Sequence, residues 1–273
     1  MSRLAPAVLL LLALVRPAAA ENLSWTLVAK PKPGMANKGD IKTANFAGGE
    51  NIAVLFGGYN VKDAEVRAWA EGLMFWSTPK LTDFAVISLF AVPGPADSLF
   101  RKNEFKLDVL ADAVAKAASR FNSKLIIFAG HSSGAAVAEA ALAVFAKQSP
   151  SLLSRVVYYR LDGAGGLPPT LLAKLAGGYC VSAKCGAVPS MNSGGCGGKF
   201  KPVTLKLPPY PAQCAAANAP AKAKGMCCHV ALVNTSPNTS TAAEYARYTA
   251  TSLPNGGWLR ETSAKLKSVA GLP

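Results

Sequence analysis

The run Leu125-Ile126-Ile127-Phe128-Ala129 leads without a spacer into Gly130-His131-Ser132-Ser133-Gly134 and then into Ala135-Ala136-Val137-Ala138-Glu139-Ala140-Ala141-Leu142. The first stretch suits a strand buried on both faces and the last suits a helix, so only a tight turn can separate them. Glycines on either side of the turn remove side chains where strand and helix would collide, which lets Ser132 stand exposed in a strained backbone conformation. The unit demands an α/β protein and nominates Ser132 as a nucleophile. A serine hydroxyl attacks poorly at neutral pH unless a histidine takes its proton and a carboxylate orients that histidine.

The rest of the chain repeats the alternation. The pattern predicts a short strand near Trp25 to Ala29, a loop rich in Lys, Pro and Gly, and a buried strand Asn51–Phe56 running into Gly57-Gly58-Tyr59-Asn60. A helix over Lys62–Trp76 and a strand over Phe84–Phe90 follow. Leu107, Leu110, Val114 and Ala117 mark an amphipathic helix that stops before Asn122, and Arg155–Leu161 reads as the strand after the serine's helix. Strands apolar on both faces and alternating with helices predict a mainly parallel sheet with helices on both faces, its reactive groups at the strands' carboxyl ends.

From Gly163 to Cys228 the composition changes: all six cysteines lie here, with seven lysines and no Asp or Glu. Pro202–Leu207 suits a strand, and the remainder reads as a disulfide-held loop or cap over the strand ends within one domain, 21–273. A closing helix is predicted over Thr241–Ser252.

Scarcity selects the partners of Ser132. The chain has two histidines, His131 and His229. His131 is the serine's neighbour inside the turn, so its side chain points away from the hydroxyl, and His229 is left as the base. Between Glu139 and Glu244 the only carboxylate is Asp162, at the end of the next strand. For the chain order serine, acid, histidine, no other residue serves.

The first twenty residues carry Arg3, an apolar stretch from Ala5 to Val15, and Ala18-Ala19-Ala20 after Pro17, the pattern of a secretory signal peptide. No apolar run reaches the roughly 20 residues of a membrane span. Export puts Cys180, Cys185, Cys196, Cys214, Cys227 and Cys228 in an oxidising compartment, favouring three disulfides over zinc. Adjacent Cys227 and Cys228 each need a different distant partner. The net charge of +14 drops to +12 once Arg3 and Arg16 leave with the leader. Basic residues are dispersed without a recognition motif, which argues against a nucleic-acid partner. The lysines between Asp162 and His229 suit attraction of an anionic substrate, membrane or wall surface, and equally suit a solvated loop.

From Asn51 to His229 the chain resembles the α/β-hydrolases. Its elbow is similar to those of many lipases and esterases. An acid directly after the following strand, and a cysteine-bounded loop before the histidine, resemble secreted lipases of the pancreatic type. It departs from these in having Gly57-Gly58 where they have His-Gly and Asp162-Gly163 where they have Asp-Pro. The resemblance implies a secreted serine hydrolase that cleaves small-molecule or lipid esters through Ser132, His229 and Asp162, with no cofactor and no metal. It also implies an oxyanion hole built from the N–H of Ser133 and one from the Gly57–Asn60 loop, at Tyr59 or Asn60. A peptidase or thioesterase would use the same triad, and a non-catalytic binding protein would keep the same scaffold.

Overall fold

The computed structural model describes residues 26–30, 40–45, 51–58, 69, 86–92, 105–163, 165–190, 200–207, 228–229, 232–233 and 257–271. The expected leader 1–20, the helix at 62–76 apart from buried, helical Trp69, and the helix at 241–252 lie outside them.

Nine strands among the described residues form one sheet: β1 (Thr26–Ala29), β2 (Ile41–Asn45), β3 (Asn51–Phe56), β4 (Val86–Val92), β5 (Ile126–His131), β6 (Val156–Leu161), β7 (Gly177–Cys185), β8 (Val188–Pro189) and β9 (Lys201–Leu207). Their order is β1-β2-β4-β3-β5-β6-β7-β8, with β9 also on β7. The run from β4 through β3, β5, β6 and β7 to β9 is parallel throughout, while β1, β2 and β8 pair antiparallel. This is an α/β-hydrolase fold: a mainly parallel sheet whose serine elbow leaves a central strand.

Alternation along the central strands feeds two cores. Ile52, Val54, Phe56, Ile126, Phe128, Val156 and Tyr158 pack against α1 (Leu107–Arg120) and α2 (Gly134–Gln148) through Leu110, Val114, Val137 and Phe145. Ala53, Leu55, Ile127, Ala129, Val157, Tyr159 and Val181 meet Trp69 and the C-terminal helices, with Trp258 on α3 (Gly257–Glu261) and Leu266 on α4 (Ser263–Ala270). β3, β5 and β6 are buried at every position, because a sheet covered on both faces has no polar side.

Two expectations need correction. The stretch predicted as a loop before Asn51 contains β2, whose Lys42 and Thr43 broke the apolar signal. β9 is the strand expected at Pro202–Leu207, but in the stretch before it, expected to be a loop or cap, β7 and β8 extend the central sheet, carried by small residues whose burial between two neighbouring strands is a tertiary effect. β9 occupies one edge of β7 along Tyr179–Cys185, so β8 pairs with Lys184 and Cys185 on the other edge, the one β6 uses up to Val181. The hairpin therefore stands just beyond the carboxyl end of β6.

Candidate active site

β5 ends at His131, and Ser132 turns the chain with φ 55°, in the left-handed region. Its N–H donates to the Leu161 carbonyl at 3.0 Å, which stitches the elbow to the end of β6. A side chain at Gly134 would run into the backbone of Phe56 and Gly57, so β3 and the start of α2 can approach only because this residue has none. Gly58 lies at the serine itself: a Cβ there would stand 2.9 Å from Ser132 Cβ and 3.2 Å from the His131 carbonyl oxygen. The end of β3 thus borders Ser132.

Ser133 caps the 15-residue helix α2, whose Ala135 and Ala136 N–H groups donate back to the Ser132 and Ser133 carbonyls at 3.1 and 3.2 Å, and the positive end of the helix dipole lies at the elbow. Its hydroxyl is buried without a hydrogen-bond partner among the described residues. The other expected oxyanion contributors, Tyr59 and Asn60, lie outside the described residues.

Asp162 follows β6 with φ 41° and is 1% exposed. Its N–H donates to the Val181 carbonyl at 2.6 Å. His229, 67 residues later and 3% exposed, donates from Nδ1 to Asp162 Oδ2 at 2.5 Å. That bond leaves Nε2 as the proton acceptor of the ring. Among the described residues no hydrogen bond joins Ser132 Oγ to His229; such contacts often tighten only with substrate bound.

His131 is not a second base. It donates from Nε2 to the His229 carbonyl at 3.0 Å, and the two rings lie 4.3 Å apart. Burial, and then the neighbouring His229, hold its basicity well below the usual imidazole range, against the pull of that hydrogen bond. Held neutral, His131 places no second positive charge beside the His229 ring.

A covalent tie supports the segment that carries His229. Cys228, adjacent to His229, is bonded to Cys185 at the end of β7, with Cα atoms 5.8 Å apart. Cys180 is also disulfide-bonded, and Cys196, Cys214 and Cys227 lie outside the described residues. Among the described residues no cluster of His, Cys, Asp or Glu is arranged to hold a metal.

Sequence reasoning missed the polar layer beneath the elbow. Glu139 on α2 accepts from Arg160 Nε (3.0 Å) and Nη2 (2.5 Å), from Tyr158 OH (3.1 Å) and, through its other oxygen, from the Gly166 N–H (2.6 Å). The Arg160 guanidinium lies 4.2 Å over the Phe200 ring. The network joins the helix that follows Ser132 to the strand and loop on either side of Asp162. Ser190 was also missed; its hydroxyl donates to Asp162 Oδ1 at 2.9 Å. No local signal marks either, because their partners are 21 and 28 residues away.

No family model matches the sequence, and no curated protein is similar to it at the sequence level. Solved structures with related coordinates include a dienelactone hydrolase from Anabaena variabilis, at 14% identity and TM-score 0.39, covering 85% of this chain and 100% of that one. A carboxylesterase, EstE1, from a metagenomic library is 12% identical with TM-score 0.37, covering 84% and 91%. A CIB-like hydrolase from Thermoplasma acidophilum is 10% identical with TM-score 0.35, covering 69% and 91%. Likenesses this distant transfer no activity, and the fold stands on its own strand order and elbow.

Proposed function

We propose that this protein is a serine hydrolase that cleaves carboxylic esters. Ser132 Oγ attacks the carbonyl, His229 Nε2 takes the proton and returns it to the leaving alcohol, and Asp162 holds the imidazole and balances its charge. Water, activated by the same histidine, then releases the acyl group from Ser132. The N–H of Ser133 and one from the loop after Gly58 receive the oxyanion. The observation that carries the reading is the buried 2.5 Å bond between Asp162 and His229, residues far apart in sequence, beside a serine in a left-handed elbow. The Cys185–Cys228 disulfide supports export to an oxidising compartment.

The test is hydrolysis of esters graded from acetyl to long acyl chains, with fluorophosphonate labelling of the disulfide-intact protein. Turnover and labelling that both vanish in Ser132→Ala and His229→Ala are expected. Absence of both in the folded parent protein would refute the reading and favour a non-catalytic binding role. Long-chain preference with activation at a lipid interface would mark a lipase, and short-chain preference an esterase.

A further inference from the structure

Three alternate residues of β7 each hold a different part of the candidate site. The Val181 carbonyl accepts from the Asp162 N–H at 2.6 Å. Ala183 pairs with Ser190, its carbonyl accepting the Ser190 N–H at 2.8 Å and its own N–H donating to Ser190 Oγ at 3.1 Å. Cys185 is bonded to Cys228, the residue before His229. Val181, Ala183 and Cys185 share one face, as a two-residue period requires, and all belong to the same buried core.

Ser190 takes the place on β7 that a continued β6 would occupy. Because its oxygen already accepts from the Ala183 N–H, the hydroxyl proton is directed to Asp162 Oδ1, while Oδ2 faces the His229 ring. At 2% exposure, Ser190 has little access to water that could replace it. A carboxylate that can rotate would offer His229 an acceptor of varying direction, and a hydroxyl fixed on its second oxygen stops that rotation.

We infer that Ser190 is a positioning residue of the catalytic set: by anchoring Asp162 Oδ1 to β7 it fixes the carboxylate plane, and with it the orientation of His229. The inference rests on the proposed roles of Ser132, His229 and Asp162. It adds a fourth side chain, supplied by a hairpin that bears none of the expected motifs. The titratable groups described against His229 are Asp162 and His131.

The experiment compares the disulfide-intact parent protein with Ser190→Ala and Ser190→Thr, the second keeping the hydroxyl. Ester turnover is followed from about pH 5 to 9, where a histidine base titrates, and folded fraction is read by circular dichroism. Ser190→Ala is expected to lower kcat by about tenfold to hundredfold, the scale of one hydrogen bond to a charged group, with KM little changed. The acid limb of its rate profile should move to higher pH, because a carboxylate with one donor fewer attracts the His229 proton more strongly. Ser190→Thr should restore most of kcat and return the limb. A kcat loss that only tracks the folded fraction, with the limb unmoved, would overturn the inference, as would an unchanged Ser190→Ala enzyme.

Proton NMR gives a readout independent of turnover. The Nδ1 proton shared by His229 and Asp162 should resonate far downfield in the parent and in Ser190→Thr, and exchange faster with water in Ser190→Ala. Equal behaviour in all three would overturn the role of Ser190. A parent that is inert to esters and to fluorophosphonate, yet shows the Ser190-dependent proton, would instead refute the hydrolase reading alone.

Discussion

Replacing Ser132 with glycine should make the protein more stable than replacing it with alanine. Ser132 holds φ 55°, where the β-carbon of an L-residue crowds the backbone at a cost of about 1–2 kcal/mol. Alanine removes the hydroxyl and keeps that cost. Glycine removes both, but loses more chain entropy on folding, which returns about 0.4–1 kcal/mol. The glycine variant should therefore exceed the alanine variant by about 0.5–1 kcal/mol, or roughly 1–4 °C in melting temperature for a domain of this size. Both should be inactive. The measurement is thermal unfolding of the two variants at one scan rate with disulfides intact. The same pair at Lys116, an exposed position in the body of α1, provides the sign control: there glycine should be the less stable by about 1 kcal/mol. If glycine at 132 melts at or below alanine at 132, the elbow stores no removable strain and the argument from its backbone fails.

Glu139→Gln should destabilise the protein by about 3–5 kcal/mol in urea unfolding, since it removes the buried negative charge that faces Arg160; a loss under about 1 kcal/mol would contradict the pairing. His131 stays neutral in the folded protein while an unfolded chain takes the proton near pH 6.5, so stability should be intact above about pH 6.5 and fall below it by up to 1.36 kcal/mol per pH unit. His131→Gln should flatten that acid slope, and an unaltered slope in unfolding curves across pH would refute the assignment. Gly58→Ala should reduce ester turnover at least about tenfold, because its methyl would press on Ser132 Cβ and misplace the hydroxyl; full activity would mean that the end of β3 does not border the reacting atoms.

What the sequence reveals is what depends on continuous burial or on scarcity. β3 and β6 are legible to within a residue because a strand covered on both faces must be apolar throughout, while β5 runs on through Gly130 and His131, which read as part of the turn. Asp162 and His229 are legible because the chain offers so few alternatives. β7 is hidden: Gly177, Gly178, Ser182 and Ala183 resemble loop composition, and only pairing with β6 and β9 makes them a strand. The Glu139–Arg160 pair and Ser190 are hidden for a related reason. A buried polar group is recognised by its partner, and these partners arrive from other elements of the fold.

The two legible carboxyl-end residues are also where the backbone departs from what local preference favours. Among the described residues only Asn122, Ser132 and Asp162 are non-glycine residues with positive φ, and Asn122 merely ends α1 in a conformation asparagine tolerates. The other two are the proposed nucleophile and acid. Had β6 continued past Leu161, the next residue would have joined the ladder on β7 and aimed its side chain into a core. Instead Asp162 gives its N–H to the Val181 carbonyl and turns away with φ 41°. The edge of β7 beyond it is taken by Ser190, whose hydroxyl then binds the carboxylate released by the turn. Breaking the strand and holding the acid are therefore one structural event, and the strain at Asp162 is balanced by bonds that exist only because the strand stops there.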